Sequence, residues 1–215
     1  VPSIGCFRYH LLLGRIGNLL PIRHSLRGLY HRNLIDNLWC GYRLITQEKG
    51  KRMATERVGK LSLAQHKEYF DRLALTWDSL LTQETLTKLS QIVAELDIKS
   101  GSWVLDVGSG TGVLLPFLAK AIGNQGTIIE LDISARMLAE ARAKSFGNNT
   151  HYIQADIAAI PTTPEVFDLV ICCNVFPHFG KKLKALKEIA QVIKVNGRLA
   201  ICHAMSREAV NGLHQ

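Results

Sequence analysis

The sequence predicts an α/β fold of the doubly wound type, in which helices cover both faces of a mainly parallel sheet. From Leu61 to about residue 202, strand patterns alternate with helix patterns along the chain. The predicted strands are almost continuously apolar, which is typical of strands that are buried on both faces. The first strand runs directly into a glycine-rich turn and then a helix, so a complete strand, turn and helix unit follows from the sequence.

The hydrophobic spacing predicts each element in order. Two amphipathic helices come first, over residues 63–81 and 84–96. Five strands are expected at 102–107, 127–131, 151–154, 167–173 and 198–202, and three connecting helices at 113–122, 135–146 and 181–193. Gly123 and Gly147 mark the ends of two of these helices, and Ser134 is a suitable N-cap for the second.

The composition excludes several classes of protein. The 215 residues are 47% hydrophobic and 20% charged, close to the average of globular domains, and no stretch approaches the roughly 20 apolar residues of a membrane span. The five cysteines include no C-x-x-C pair, so neither a disulfide framework nor a zinc site is indicated. Reduced thiols indicate a cytoplasmic protein, and no metal site is expected.

The formal charge of +8 is concentrated at the amino end of the chain. Residues 1–52 contain nine basic and two acidic residues, hence +7, which leaves the remainder nearly neutral. A nearly neutral body has no electrostatic footprint for nucleic acid, so no nucleic-acid partner is expected. The segment 1–52 is expected to be disordered or not native, with Met53 as the biological start. The residues just before Met53 can all be encoded by purine-only codons, as in a bacterial ribosome-binding site that has been translated by mistake. A transit peptide and a basic RNA-binding arm are the functional alternatives.

An acid and three glycines stand where the first predicted strand ends. The run from Val104 onward places Asp106 on the strand and Gly108, Gly110 and Gly112 in the following turn. Glycines permit positive φ and a close approach of a ligand, and the helix beyond presents free N–H groups. The pattern therefore predicts a ligand that lies against the backbone of this turn.

A nicotinamide dinucleotide fold would also place glycines here. Its fingerprint, G-x-G-x-x-G, needs a third glycine where this chain has Val113. Asp106 would also repel a pyrophosphate, whereas it would attract a ligand with a cationic amino group. An NAD-dependent oxidoreductase is therefore disfavoured.

The pattern D-x-G-x-G-x-G after a first strand resembles motif I of the class I S-adenosylmethionine-dependent methyltransferases, a family with a Rossmann-like fold. The resemblance implies S-adenosyl-L-methionine as the cofactor. It assigns to the cofactor site Asp106, at the end of the strand, and the turn residues Gly108, Ser109, Gly110 and Gly112.

Later segments resemble the family's other motifs in the same order. Residues 128–134 resemble the second-strand motif, which implies that Asp132 accepts hydrogen bonds from both ribose hydroxyls, with Ile133 beside it and Glu130 as the alternative acid. Residues 154–157 resemble the segment after the third strand, which implies adenine contacts for Asp156 and Ile157.

Residues 167–174 resemble the fourth-strand motif, which adds Asn174 to the implied cofactor site. The resemblance is closest to the branch that includes the ubiquinone and menaquinone biosynthesis methyltransferases. Residues 69–78 resemble the leading helix of that branch, a lid over the cofactor, within a helical segment at 53–100. There Phe70 and Trp77 could exclude water, with packing in the core as the alternative for each.

The core at 101–215 lacks the closing strands of the resembled family, so the fold is expected to be incomplete at its carboxyl end. Its fifth strand is then expected to be an uncovered edge, at which a second copy could pair to form a homo-oligomer. The polar segment 203–214 is expected either to line a substrate pocket or to begin a helix with Ser206 as its N-cap.

The resemblance implies methyl transfer to a small-molecule acceptor by in-line displacement. His178 and His203, after the fourth and fifth strands, are the candidate general bases, with a packing or surface role as the alternative for each. The residues from Asn174 onward depart from the tetrapeptide of amino methyltransferases that act on adenine or glutamine, which disfavours nucleic-acid bases as acceptors. A non-catalytic S-adenosylmethionine-binding or assembly module is the alternative function.

Overall fold

The computed structural model describes residues 62–204 and, at the level of the backbone, three two-residue extended segments at 11–12, 47–48 and 51–52. The helices are α1 (Leu63–Leu73), α2 (Gln83–Glu95), α3 (Leu115–Ile122), α4 (Ala135–Ala143) and α5 (Lys182–Val192). The strands are β1 (Trp103–Val107), β2 (Thr127–Asp132), β3 (Thr150–Gln154), β4 (Phe167–Cys173) and β5 (Ile193–Cys202). Short 3-10 helices cover Ala74–Leu80, Ile157–Ala159 and Phe176–His178.

The five strands form one parallel sheet in the order β5-β4-β1-β2-β3. The chain runs outward from the central β1 to β2 and β3, then returns to the other side of β1 for β4 and β5. This reversal places the carboxyl ends of β1 and β4 next to each other, at the kind of switch point where open α/β sheets bind ligands. The predicted fold class is confirmed.

The sheet is buried on both faces, as the apolar strands predict. On one face, Val104 and Ile128 belong to a cluster with apolar residues of α2 and α3 (Leu89, Ile92, Leu115, Leu118, Ile122). On the other face, Leu105 and Val170 belong to a cluster with residues of α5 (Ala185, Ile189, Val192). This close-packed support fixes the strand ends, from which the side chains of the site project.

Several element boundaries differ from the prediction. The first helix does not continue to residue 81, because the chain tightens into a 3-10 helix at Ala74, where the Thr76 hydroxyl donates to the carbonyl three residues before it. Helix α4 ends at Ala143 because Ser145 has φ 53, outside the helical region. Strand β5 begins at Ile193, five residues earlier than predicted, with an irregularity in its pairing to β4.

The outer edge of β5 is not wholly uncovered, which corrects the prediction of a free edge. The backbone of Leu11–Leu12 pairs antiparallel with Arg198 and Leu199. A second short antiparallel pair joins residues 47–48 and 51–52. The other expectations for residues 1–52, the Met53 start, and the role of Ser206 and its neighbours lie outside the described residues.

The structure bears on the expectations about membrane spans and cysteines. Within residues 62–204, no helix is both long and apolar enough to cross a bilayer. Cys172, Cys173 and Cys202 are free thiols near the carboxyl ends of β4 and β5. Burial raises the pKa of the Cys172 thiol well above its ordinary value, as is typical of an unreactive core cysteine.

Candidate active site

A cavity of about 910 Å³ lies at the carboxyl ends of β1, β2 and β4. Residues 63–80, α1 with its 3-10 continuation, border its other side, and we call this segment the lid. The volume is within the range of sites that bind small molecules and cofactors. The switch point of the sheet therefore coincides with a cavity of the size that a cofactor needs.

The glycine turn after β1 lies on this cavity, and its glycines have different tasks. Gly108 has φ 66, and a Cβ there would lie 2.1 Å from a methyl carbon of Val175, so glycine lets the turn meet the segment after β4. Gly110 has φ 59, and no atom of the described residues lies within 4 Å of the position of a Cβ there, which leaves this side of the turn open to a ligand. Gly112 has φ 73 and lies against Leu115, and it does not line the cavity. Gly112 therefore shapes the entry to α3.

Asp132, at the end of β2, lines the cavity and joins two turns. Its Oδ2 accepts a hydrogen bond from the Gly110 N–H over 2.9 Å, and its Oδ1 accepts one from the Ser134 N–H over 2.8 Å. Burial raises the pKa of Asp132, and these backbone donors oppose that shift. The predicted ribose acid therefore also fixes the glycine turn against the start of α4.

Asp106 lies deeper, with only 2% of its surface exposed, and it also lines the cavity. Among the described residues its Oδ2 has no hydrogen-bond partner. Burial, followed by the negative charge of Asp132, raises the pKa of Asp106 well above its ordinary value. A buried carboxyl oxygen with no partner is suited to a cationic donor on a ligand, as the sequence predicts.

Glu130 does not serve as the alternative ribose acid. It is fully buried and does not line the cavity. It is the register partner of Asp106 on the adjacent strand. Burial, followed by the charge of Asp106, raises the pKa of Glu130 well above its ordinary value, while the Ser109 hydroxyl acts in the opposite direction. Glu130 thus belongs to the floor beneath the glycine turn.

The residues predicted to contact adenine, and the residue predicted from the fourth-strand motif, also line the cavity. Asp156 and Ile157 line it, and the Asp156 carboxylate accepts a hydrogen bond from the Ala158 N–H over 2.9 Å. Asn174 lines it with φ 57, and its Oδ1 accepts from the Ala204 N–H over 3.0 Å. Asn174 therefore ties the end of β4 to the residues that follow β5.

The lid closes the cavity with aromatic side chains. Phe70 and Trp77 both line it, and their rings make an edge contact with centroids 5.8 Å apart. His66, from the same segment, is buried and also lines the cavity. The structure therefore places both predicted aromatics on the lid side of the cavity.

The two candidate bases have different positions. His178 lines the cavity, and its ring lies 5.6 Å from Phe70 and 5.9 Å from His66, centroid to centroid. Burial, followed by the charges of His66 and His203, lowers the pKa of His178 to about 4, so its ring is neutral at physiological pH. His203 does not line the cavity, and burial also lowers its pKa. Of the two, only His178 can meet a ligand there.

Sequence reasoning missed His66, and it missed two acids of the lid that contact the core. Asp71 accepts a hydrogen bond from the Ser134 hydroxyl, and Asp78 accepts one from the Thr111 hydroxyl. Both acids lie in the segment that resembles a leading helix, which is the signal that could have found them. His66 had no such signal, because it stands before that segment.

Comparisons with known proteins agree with this geometry. Residues 104–197 match the model of a family described as a methyltransferase domain. A structure of a SAM-dependent methyltransferase from Aquifex aeolicus is 27% identical, with a TM-score of 0.52 over 66% of this chain and 72% of that one. Residues 104–197 form a class I S-adenosylmethionine-dependent methyltransferase domain.

This methyltransferase domain has relatives with more specific names. The ubiquinone/menaquinone biosynthesis C-methyltransferase UbiE of Vibrio campbellii is 35% identical over 107 residues, which are 48% of this chain and 41% of that protein. The chain therefore spans about two fifths of the length of this curated relative. The structure of the [4+2]-cyclase SpnF, at 20% identity, has a TM-score of 0.58 over 66% of this chain and 60% of that one. That likeness concerns the fold alone.

Proposed function

We propose that the chain transfers a methyl group from S-adenosyl-L-methionine to a small-molecule acceptor in the cytoplasm. The observation that carries this proposal is the cavity that the glycine turn, Asp106 and Asp132 share with the aromatic lid. One side of the cavity is polar and acidic, which suits the cofactor. The other side is formed by rings, which suits an uncharged organic acceptor.

The residues on the cofactor side fit the parts of S-adenosylmethionine. Asp106, whose Oδ2 has no partner in the described chain, would hold the amino group, and Asp132 would hold the ribose hydroxyls. Gly110 leaves open space over the turn, so the amino-acid part can lie against its backbone. Asp156 and Ile157 would hold the adenine.

When bound, the cofactor supplies a methyl group on a sulfonium, and the rest of the cofactor is a neutral thioether once the methyl group has been transferred. The chain's own task is then to align the acceptor, to keep the cavity dry and to receive any proton that the acceptor loses. Phe70 and Trp77 exclude water from above. His178, neutral at physiological pH, presents an imidazole to the acceptor side and can accept a hydrogen bond or a proton there.

The acceptor is proposed to be a small molecule for two reasons. The cavity has the volume of a small-molecule site and is bordered by aromatic rings of the lid, which favours a small acceptor over a nucleic-acid strand or a folded protein surface. Two relatives, at 35% and 38% identity, have names from ubiquinone and menaquinone biosynthesis. An aromatic ring could pack against the edges of Phe70 and His178, whose own rings are in contact.

Turnover to S-adenosylhomocysteine tests this proposal directly. The purified chain is incubated with the cofactor and a panel of phenols, quinols and other small nucleophiles, and S-adenosylhomocysteine is measured by mass spectrometry. We expect acceptor-dependent product that falls by about 10- to 100-fold in Asp132→Asn, because hydrogen bonds to a charged group are lost. Asp97→Asn is the matched control and should leave turnover unchanged. Asp97 is an exposed acid with φ 46 that does not line the cavity.

A second candidate function is a module that binds S-adenosylmethionine without methyl transfer. The low pKa of His178 favours it, because a group that titrates near 4 is a weak base. The two candidates differ in one observable. A binding module takes up the cofactor and loses affinity in Asp132→Asn, yet forms no S-adenosylhomocysteine with any acceptor in the panel.

A further inference from the structure

The lid is attached to the cofactor side of the cavity by two aspartates, Asp71 and Asp78. Asp71 is in α1 and Asp78 is in the 3-10 continuation. They are seven residues apart, so a helical path brings both to the same side of the segment. Each reaches a residue of a different turn, so the lid is attached at two points.

The first attachment is at the amino end of α4. The Ser134 hydroxyl donates to Asp71 Oδ1 over 2.5 Å, and the Arg136 N–H lies 3.4 Å from the same oxygen. The other oxygen of Asp71 accepts from Lys67 over 2.7 Å. A carboxylate at the start of a helix is also stabilised by the helix dipole. Asp71 is thus held by donors from both the lid and the core.

The second attachment is at the glycine turn. The Thr111 hydroxyl, which is fully buried, donates to Asp78 Oδ1 over 2.5 Å. The Lys144 ammonium lies 2.6 Å from Asp78 Oδ2 and also donates to the Thr111 carbonyl oxygen over 2.7 Å. These three residues form a closed set of polar contacts between the lid, the glycine turn and the end of α4.

Asp132 connects the two attachments. One of its oxygens accepts from the N–H of Ser134, whose hydroxyl holds Asp71, and the other accepts from the N–H of Gly110, the neighbour of Thr111. A path of hydrogen bonds, completed by the peptide bond between Gly110 and Thr111, therefore runs from Asp71 through Asp132 to Asp78. The residue at the centre of this path is the one that the proposed function assigns to the cofactor ribose.

We propose that Asp71 and Asp78 are positioning residues that hold the lid closed over the cofactor and, through Asp132, couple lid closure to cofactor binding. The inference rests on the proposed binding of S-adenosylmethionine. Linkage then works in both directions, because a cofactor that orders Asp132 and its two turns also orders the groups that hold the lid. Release of the cofactor requires both attachments to open.

The test measures the rate of cofactor release in Asp71→Asn, Asp78→Asn and the double variant. Stopped-flow fluorescence can follow Trp77, which lines the cavity. We expect the dissociation rate of S-adenosylmethionine to rise by roughly 3- to 10-fold in each single variant and by about 10- to 100-fold in the double variant, with a much smaller change in the association rate. Glu68→Gln, an exposed acid on the same helix, is the control and should release the cofactor at the wild-type rate.

Hydrogen exchange separates a positioning role from general loss of structure. In the wild type, the cofactor should slow exchange of the amides of both the lid and β2. In the double variant, the β2 amides should stay protected while the added protection of the lid is lost. Thr111→Val, which removes the hydroxyl that holds Asp78, should also speed release, and Thr111→Ser, which keeps it, should restore the wild-type rate.

The outcomes distinguish failure of the positioning role of Asp71 and Asp78 from failure of the proposed function. A wild type that binds the cofactor, with variants that release it at the same rate and keep lid protection, overturns the positioning role and leaves the proposed function intact. A wild type that binds no S-adenosylmethionine overturns the proposed function, and the coupling with it. Faster release in Thr111→Ser as well as in Thr111→Val would show that the hydroxyl contact is not the cause.

Discussion

Asp106 and Glu130 are partners in register on adjacent parallel strands, and both carboxyl groups are buried beneath the glycine turn. Burial, followed by the charge of Asp132, opposes the ionisation of Asp106, and burial, followed by the charge of Asp106, opposes that of Glu130. The pKa of each is raised well above its ordinary value. These raised pKa values have consequences for stability and for binding.

The first consequence concerns stability against pH. Carboxyls of the unfolded chain titrate near pH 4, so above that pH the folded chain retains protons that the unfolded chain has lost. The contribution of Asp106 and Glu130 to the free energy of unfolding therefore falls as the pH rises from about 5 toward their raised pKa values. Glu130→Gln removes one of these groups and should stabilise the free chain at pH 7 by roughly 1–3 kcal/mol.

Urea unfolding of the wild type and Glu130→Gln at pH 5, 6 and 7 measures this effect. The difference between the two proteins should grow with pH. A variant that is less stable than the wild type at pH 7 would show that the charged form of Glu130 is the one that the fold favours.

The second consequence concerns the affinity for the cofactor. The cationic amino group requires an ionised Asp106, and the raised pKa of this carboxyl means that ionisation is incomplete in the free chain at acidic pH. The affinity for S-adenosylmethionine should therefore increase as the pH rises from 5 to 7. Calorimetry on Asp106→Asn should show binding that is about 10- to 100-fold weaker and nearly independent of pH in this range. Equal pH dependence in both proteins would remove Asp106 from the amino-group site.

The glycines of the turn should respond differently to alanine. In Gly108→Ala the new Cβ overlaps Val175 and φ is positive, so we expect a loss of about 2–4 kcal/mol in the free energy of unfolding. In Gly110→Ala only the φ penalty applies, about 1–2 kcal/mol, but the methyl enters the open face and should weaken cofactor binding. Val175→Ala in the Gly108→Ala background should restore part of the stability. Equal losses in both single variants would contradict the separate tasks of the two glycines.

The ionisation of His178 should not contribute to the pH profile of turnover near neutrality. Its pKa of about 4 means that it is already neutral at pH 6, so the ionisation of His178 adds no change in rate between pH 6 and pH 8. His178→Gln keeps a polar group but no comparable base, and should lower kcat more than it raises KM. A rate that rises with a midpoint near pH 6.5 and loses this rise in His178→Gln would show that His178 titrates at its ordinary value.

The local signals in the sequence were sufficient for the fold and for the position of most predicted cofactor residues at the cavity. Phe167–Cys173 was predicted at both ends, because a long apolar strand between polar residues is unambiguous. Asp132 and Asp156 were predicted from motifs, and both line the cavity. These features depend on residues that are near one another in the chain.

The features that were missed depend on distant residues. Asp71 meets Ser134 and Asp78 meets Thr111 only after the lid packs on the sheet, across separations of 63 and 33 residues. The alternation of side chains along a strand places Glu130 on the same face as Asp132. Glu130 lies about 7 Å further from the end of the strand and is fully buried. Alternation predicts the face of the sheet on which a side chain lies, but not how far it is from the end of the strand. Side-chain contacts between elements therefore needed the structure.

Calorimetric titration of S-adenosylmethionine into the chain, repeated with Asp132→Asn, measures directly whether this cavity binds the cofactor. We expect saturable binding of one cofactor per chain, weakened by about 10- to 100-fold in the variant. Absence of binding by the wild type, or equal affinity in the two proteins, would contradict the assignment of this cavity to the cofactor.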